Sequence, residues 1–228
     1  MLTPEEWQAI RLSLQVAFWS VGISLPLGIL MAWLLARRRF PGKTLLDGII
    51  HLPLVLPPVV VGYALLVLFG RKGALGAPLH DWFGITIAFT WQGAAVAAAV
   101  MGFPLMVRAI RLSLETMDRG LEDAARTLGA GRFAVFRTVT LPLIAPGVLT
   151  GVILAFARSL GEFGATITFV SNIPGETRTL PIALYTYTQV PGGDAQALRL
   201  AVIAVVLALA ALLGSEILAR RVRARLGH

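Results

Sequence analysis

Leu121 to Pro142 reads LEDAARTLGAGRFAVFRTVTLP, a charged, alanine-rich island between two stretches apolar enough to cross a bilayer. Leu121, Ala124, Ala125 and Leu128 recur at helical spacing and Glu122, Asp123 and Arg126 fall on the other side, which predicts a short amphipathic helix. Gly129 follows where a helix takes a left-handed C-cap, so a turn is expected there. A second helical piece, Arg132 to Thr138, leads to Leu141-Pro142, where a membrane segment starts. A polar helix-turn-helix held between two spans is a handle for a water-soluble partner.

The flanking composition sets the class. The 228 residues are 57% hydrophobic and have a mean hydropathy of +0.78, values that belong to an all-α integral membrane protein. That length is too short for two domains with linkers, so one membrane domain over residues 1–228 is expected, with the polar loop at about 109–140. The absence of cysteine excludes disulfides, thiolate metal sites and a thiol nucleophile. His51, His80 and His228 are scattered and form no HExxH pattern, so no metal is expected. The formal charge of +8 sits in the caps between apolar runs, which points to topology and away from nucleic acid.

The apolar runs read as about five spans: Ile10 to Ala36, Leu46 to Gly70, Ile85 to Val107, Leu141 to Ile167 and Leu200 to Ala219. Pro4-Glu5-Glu6 is a plausible helix start, and Arg37-Arg38-Arg39 follows the first run, the reverse of a cleavable signal peptide. The second span contains Pro53, Pro57 and Pro58 and must be kinked or broken. The third carries small residues at Gly93 to Ala95 and Ala97 to Ala99, a composition that allows close helix packing. Basic residues sort to two sides. One holds Arg37 to Arg39, Lys43, the Arg108 to Arg137 region and the tail arginines Arg220, Arg221, Arg223 and Arg225; the other holds little beyond Arg71, Lys72, Arg178 and Arg199. The positive-inside rule then predicts a periplasmic N-terminus, with the loop and the C-terminus in the cytoplasm.

Gly42-Lys43-Thr44 looks like the tail of a Walker A motif, but Arg37 stands where the motif needs glycine and no strand precedes it. Any ATP must therefore be hydrolysed by a separate subunit. Arg158 and Glu162, four residues apart in the fourth span, have two readings: a neutralising pair that fixes packing, or a gate in a path for anions. Ser20, Ser24, Thr150, Thr166 and Thr168 either line such a path or hydrogen-bond their own helix carbonyls; Thr166 is the candidate grouped with the gate. The long polar stretch Ser171 to Asp194 predicts a re-entrant or interfacial piece around Leu180 to Gln189.

The loop resembles a signature of the permease subunits of bacterial ABC importers, E-A-A, three residues, Gly, nine residues, then I-x-L-P. Asp123-Ala124-Ala125, Gly129 and Val139-Thr140-Leu141-Pro142 match it, with Asp for Glu (Glu122 is adjacent) and Val for Ile. The resemblance implies a type I ABC importer permease (MetI-like) fold in the bacterial inner membrane. It also implies that Glu122, Asp123, Ala124, Ala125, Arg126, Gly129, Leu141 and Pro142 form a coupling helix for a cytoplasmic ATPase.

Two further stretches, Phe40 to Leu66 and Ala157 to Thr186, resemble the molybdate/sulfate/tungstate branch, and the proline-rich second span and SNIPGETRTLP look most like its molybdate members. What this implies is a homodimer forming the pore, two ABC ATPase subunits that bind ATP and Mg, and a periplasmic molybdate-binding protein, with no cofactor in this chain. A sulfate/thiosulfate or tungstate permease is the alternative within the family. A self-sufficient carrier or channel is the alternative of another class; a carrier should carry a second, matching broken helix, and only the proline-rich span reads as broken.

Overall fold

The computed structural model describes residues 2–225, with side-chain surroundings described through residue 214. The side chains of Arg220, Arg221, Arg223 and Arg225, and His228 altogether, lie outside the described residues. Every regular element among the described residues is helical. Among the described residues four helices are long and apolar enough to cross a membrane, and a bent pair makes up to five.

Helix α1, Pro4–Arg37, begins as expected at Pro4-Glu5-Glu6. Thr3 and Glu6 cap it reciprocally: the Glu6 N–H donates to Thr3 Oγ1 at 3.2 Å and the Thr3 N–H donates to Glu6 Oε2 at 2.7 Å. Glu6 is fully buried and its other oxygen accepts from Arg199 Nη2 at 2.9 Å, so the carboxylate is matched on both sides.

The second span is broken into α2, Lys43–Val55, and α3, Pro58–Phe69, which meet at 116°. Pro57 and Pro58 cause the break: Leu56, ahead of a proline, takes extended backbone at φ −71°, ψ 144°, and Pro58 then fits the first turn of α3, where no N–H partner is needed. A short helix α4, Gly76–Phe83, connects to α5, Trp91–Thr116. This helix starts later than the apolar run suggested because Thr90 caps it, accepting from the Gly93 N–H at 3.3 Å. It also runs past Val107 to Thr116, so the polar loop proper begins at Met117.

After the loop elements α6, Gly120–Thr127, and α7, Arg132–Val135, a five-residue π-helical turn, Phe136–Thr140, passes without a gap into α8, Leu141–Leu160. Leu141 N–H reaches back to Phe136 O, five residues away. That widened turn lets the chain carry Pro142, which cannot donate, while remaining helical.

The fourth span departs from the expected continuous helix from Leu141 to Ile167. It stops at Leu160, breaks over Gly161-Glu162-Phe163 and resumes as α9, Gly164–Val170. The expectation of a single broken span is therefore corrected. The signal for a second break is only one glycine followed by an ionisable residue, with no proline. α10, Leu180–Thr188, and α11, Asp194–Arg225, complete the chain. α10 covers the expected re-entrant region and is packed: Leu180 and Ala183 are buried, Ala183 clusters with Ala9 and Leu200, and the Leu180 N–H donates to Ser13 Oγ at 2.6 Å.

α5 is the axis of the bundle. Its first half packs Ala94, Ala97, Ala98 and Met101 against α1, α3 and α9; its second half packs Met106, Val107, Ile110 and Leu114 against α1, α2 and α8. Glycines set the spacing. A Cβ on Gly102 would meet Ala155 O at 3.2 Å, and one on Gly151 would meet Met106 O at 3.0 Å. The two broken spans also seat on each other. A Cβ at Gly62 would lie 2.5 Å from Ala165 O, and one at Gly164 would lie 2.8 Å from Pro58 Cβ.

Gly62→Ala should therefore destabilise the protein by about 1–3 kcal/mol through overpacking against backbone. Gly48→Ala in α2, where a Cβ meets nothing within 4 Å, should be neutral or gain roughly 0.5–1 kcal/mol. Thermal unfolding in detergent followed by tryptophan fluorescence compares the two; equal melting would mean the α3–α9 seat does not support the fold.

Candidate functional site

In the polar loop, α6 departs from the sequence reading at Glu122 and at its leucines, while Asp123 and Arg126 face outward as expected. Glu122, expected to face solvent, is buried at 8% exposure, whereas Leu128 is 89% and Phe133, in α7, is 76% exposed. The carboxylate turns inward because two donors wait for it. Thr140 Oγ1 donates to Glu122 Oε1 at 2.7 Å, and Arg37 Nη2, at the end of α1, approaches the same oxygen at 3.4 Å. One acid thus ties α6 to the π-helical turn and to α1. Asp123, aligned with the family acid by spacing, faces outward and pairs with Arg126 at 3.0 Å. Such an exposed i,i+3 pair contributes little to stability.

Ala124 is exposed and Ala125 half-buried, and Gly129 turns the chain at φ +88°, the left-handed geometry its position predicted. Leu141 and Pro142 lie within the unbroken helical path from Arg132 to Leu160. With the acid turned in and Leu121, Leu128 and Phe133 turned out, the loop presents oil to its surroundings.

The second candidate locus is the break after α8. Arg158 Nη1 lies 2.6 Å from Glu162 Oε2, and Glu162 is nearly sealed at 2% exposure while Arg158 is half-buried. The pair forms as expected, but with Glu162 in the break and not on the helical face of Arg158. Glu162 Oε1 also accepts from the Ala165 N–H at 2.8 Å, which satisfies the first turn of α9. Phe163 packs against Tyr185 of α10 with ring centroids 5.1 Å apart and the planes tilted by 48°. Thr166 is buried and donates to Phe163 O at 2.9 Å, which braces the break. Ser20, Ser24, Thr150 and Thr168 likewise donate to carbonyls three or four residues back, the structural one of their two readings.

Two arrangements were not foreseen. Ser20 and Ser159 face each other at 2.8 Å between α1 and α8. Arg111 bridges Asp47 and Glu115, both at 2.8 Å, and Asp47 also faces His51 at 3.1 Å, which locks α2 to α5. Arg111 and Glu115 at i,i+4 were a visible signal; Asp47, in a different helix, was not. Among the described residues no three His, Asp or Glu side chains converge on a metal site.

A body of apolar helices long enough to cross a bilayer defines an integral membrane protein. The chain belongs to the family of binding-protein-dependent transport system inner membrane components, whose model matches residues 24–224. It is 66% identical over its whole length, and the whole length of the relative, to the molybdenum transport system permease protein ModB of Escherichia coli K12. Against the sulfate transport system permease protein CysT of the same organism it is 41% identical, over 82% of this chain and 67% of that one. In three dimensions it superposes on a bacterial ABC transporter involved in the import of the acidic polysaccharide alginate, with a TM-score of 0.76 over 96% of this chain and 80% of the other at 18% identity, a likeness of fold.

Glu122→Ala should loosen the loop, because it leaves the Arg37 guanidinium without its anion, at a cost of about 1–3 kcal/mol. Limited trypsin cleavage at Arg119, Arg126 and Arg132 in the purified protein should then run on the order of tenfold faster, while Asp123→Asn cleaves like the wild type. Equal acceleration by both would contradict the assignment of the anchor to Glu122.

Proposed function

We propose that the chain is the permease subunit of an ABC importer that moves molybdate across the bacterial inner membrane. The observation that carries this reading is the end-to-end 66% identity to the E. coli molybdenum permease, set against 41% over a shorter match to the sulfate permease of the same organism. The whole chain, 1–228, acts as one transmembrane domain, with its N-terminus periplasmic and its C-terminus cytoplasmic, in keeping with the distribution of basic residues.

Two copies form the pore. The apolar face left uncovered along α2 and α3, with Leu45, Ile49, Val55, Val59 and Tyr63 exposed, suits contact with a second copy and with lipid. A periplasmic molybdate-binding protein delivers the oxyanion. Two cytoplasmic ATPase subunits hold ATP and Mg and receive the loop, with Glu122 fixing the angle of α6 and Leu128 and Phe133 entering their surface. Closure of the ATPases on ATP draws the loops together and turns the pore outward; hydrolysis resets it.

In the path, the Arg158–Glu162 pair acts as a gate. While paired, Arg158 is neutralised and the break is closed; when the pair parts, the guanidinium attracts an oxyanion in transit. Thr166 follows the break as part of the same hinge.

Leu128→Asp or Phe133→Asp should cut copurification of the ATPase subunit at least about tenfold, as expected for a central apolar anchor. Arg158→Gln should depress uptake and leave that copurification intact; normal uptake in both Arg158→Gln and Glu162→Gln would remove the gate. The cargo is tested in proteoliposomes holding the whole complex. ATP hydrolysis should rise with molybdate-loaded binding protein, and a rise with the sulfate-loaded protein alone would reassign it.

A further inference from the structure

Beside the loop, a cleft of about 1010 Å³ opens between the C-terminal third of α1 and the α6–α7 turn. Its walls change character along their length. Pro26, Leu30 and Trp33 make one end apolar, and Leu30 is exposed. At the other end stand Arg38, Arg119 and Arg132, all exposed. Glu122 and Asp123 also line it, but each is already matched, by Arg37 and Arg126. Arg38 folds back over Trp33, its guanidinium carbon 5.2 Å from the ring centroid, so a cation is held at the seam between the two ends.

The cationic end continues into a second hollow of about 490 Å³ lined by Ala36, Arg37, Arg38, Arg39, Lys43 and Arg119. No carboxylate lines it, and among the described residues only Arg37 of its five cations has an acidic partner. Cations gathered without counter-charge repel one another, and an anion relieves that repulsion. The shape of the unmet demand is amphiphilic, with an apolar slot running along a membrane helix and ending in a ring of guanidinium groups at the loop level.

We propose that this groove binds an anionic phospholipid, with acyl chain along Pro26, Leu30 and Trp33 and phosphate among Arg38, Arg119 and Lys43. A soluble anion would leave the apolar slot unused, and a neutral lipid would leave the cations unmet; one molecule with both parts satisfies both. Because Arg119 and Glu122 form the far wall, an occupied groove braces the loop from the membrane side. The leaflet follows from the cytoplasmic placement of the loop under the proposed function, and the inference rests on that reading.

The test uses the whole complex in nanodiscs containing either phosphatidylglycerol or phosphatidylcholine, with retained lipid read by native mass spectrometry after transfer to detergent. The wild type should retain phosphatidylglycerol in preference to phosphatidylcholine. Arg38→Gln with Arg119→Gln should lose that retention by about fivefold for each charge removed, while Arg71→Gln, at the opposite end of the fold, retains it. Equal retention by the double variant, or displacement of the lipid by millimolar inorganic phosphate with the same arginine dependence, would overturn the proposal. Leu30→Cys supplies a unique thiol in a chain without cysteine. Its labelling by a lipid-soluble maleimide supports a lipid occupant, and a disulfide-linked dimer at that position would assign the groove to a second copy instead. ATPase copurification, measured on the same samples, reports separately on the docking loop.

Discussion

Close backbone approach along α5 is the constraint on which the rest of the molecule depends. Lipid gives helices no hydrophobic reason to associate, so the spans hold together only where surfaces can come near enough for dispersion to accumulate. α5 meets that demand with an alanine-rich first half and with Gly102 set against Ala155. Gly28 and Gly151 let Met106 fill the space between α1 and α8. Once these helices are seated, the broken spans have somewhere to lie. α3 and α9 press against the first half of α5 and, through Gly62 and Gly164, against each other.

Charge inside this body is used as fastening. Glu6, Glu122 and Glu162 are buried, and each has both a cationic partner and a hydrogen-bond donor within reach. Each sits where the backbone starts, turns or breaks, where N–H groups lack helical partners. Glu6 and Glu162 each accept a backbone N–H at a helix start and pair with an arginine, whereas Glu122 takes the Thr140 hydroxyl and Arg37. With Glu122 drawn inward, Leu121 and Leu128 are left exposed along with Asp123 and Arg126.

The inward turn of Glu122 marks the limit of what the residues alone disclosed. The spans, the break at Pro57-Pro58, the turn at Gly129 and the small-residue face of α5 were legible because each follows from local chemistry or period. The direction in which α6 faces was not, because periodicity divides a helix into two faces without stating which is covered. The answer lies in Thr140 and Arg37, 18 and 85 residues away along the chain. The break at Gly161 escaped for a related reason. A glycine and a glutamate inside an apolar run fit a continuous helix as well as a broken one until Arg158 and the Ala165 N–H are placed around the carboxylate. Asp123 matched the motif by spacing, yet its neighbour holds the contact.

The continuity of the helical path through the π-helical turn has a mechanical consequence. From Arg132 to Leu160 the chain forms one 29-residue helical run, a rod of about 43 Å at the usual rise per residue. Its ends are the exposed Phe133 and the break that holds Glu162. A tilt of about 10° about its middle would carry each end about 4 Å, in opposite senses, more than the reach of a hydrogen bond. The rod thus turns a short stroke at one tip into a displacement longer than a hydrogen bond at the other.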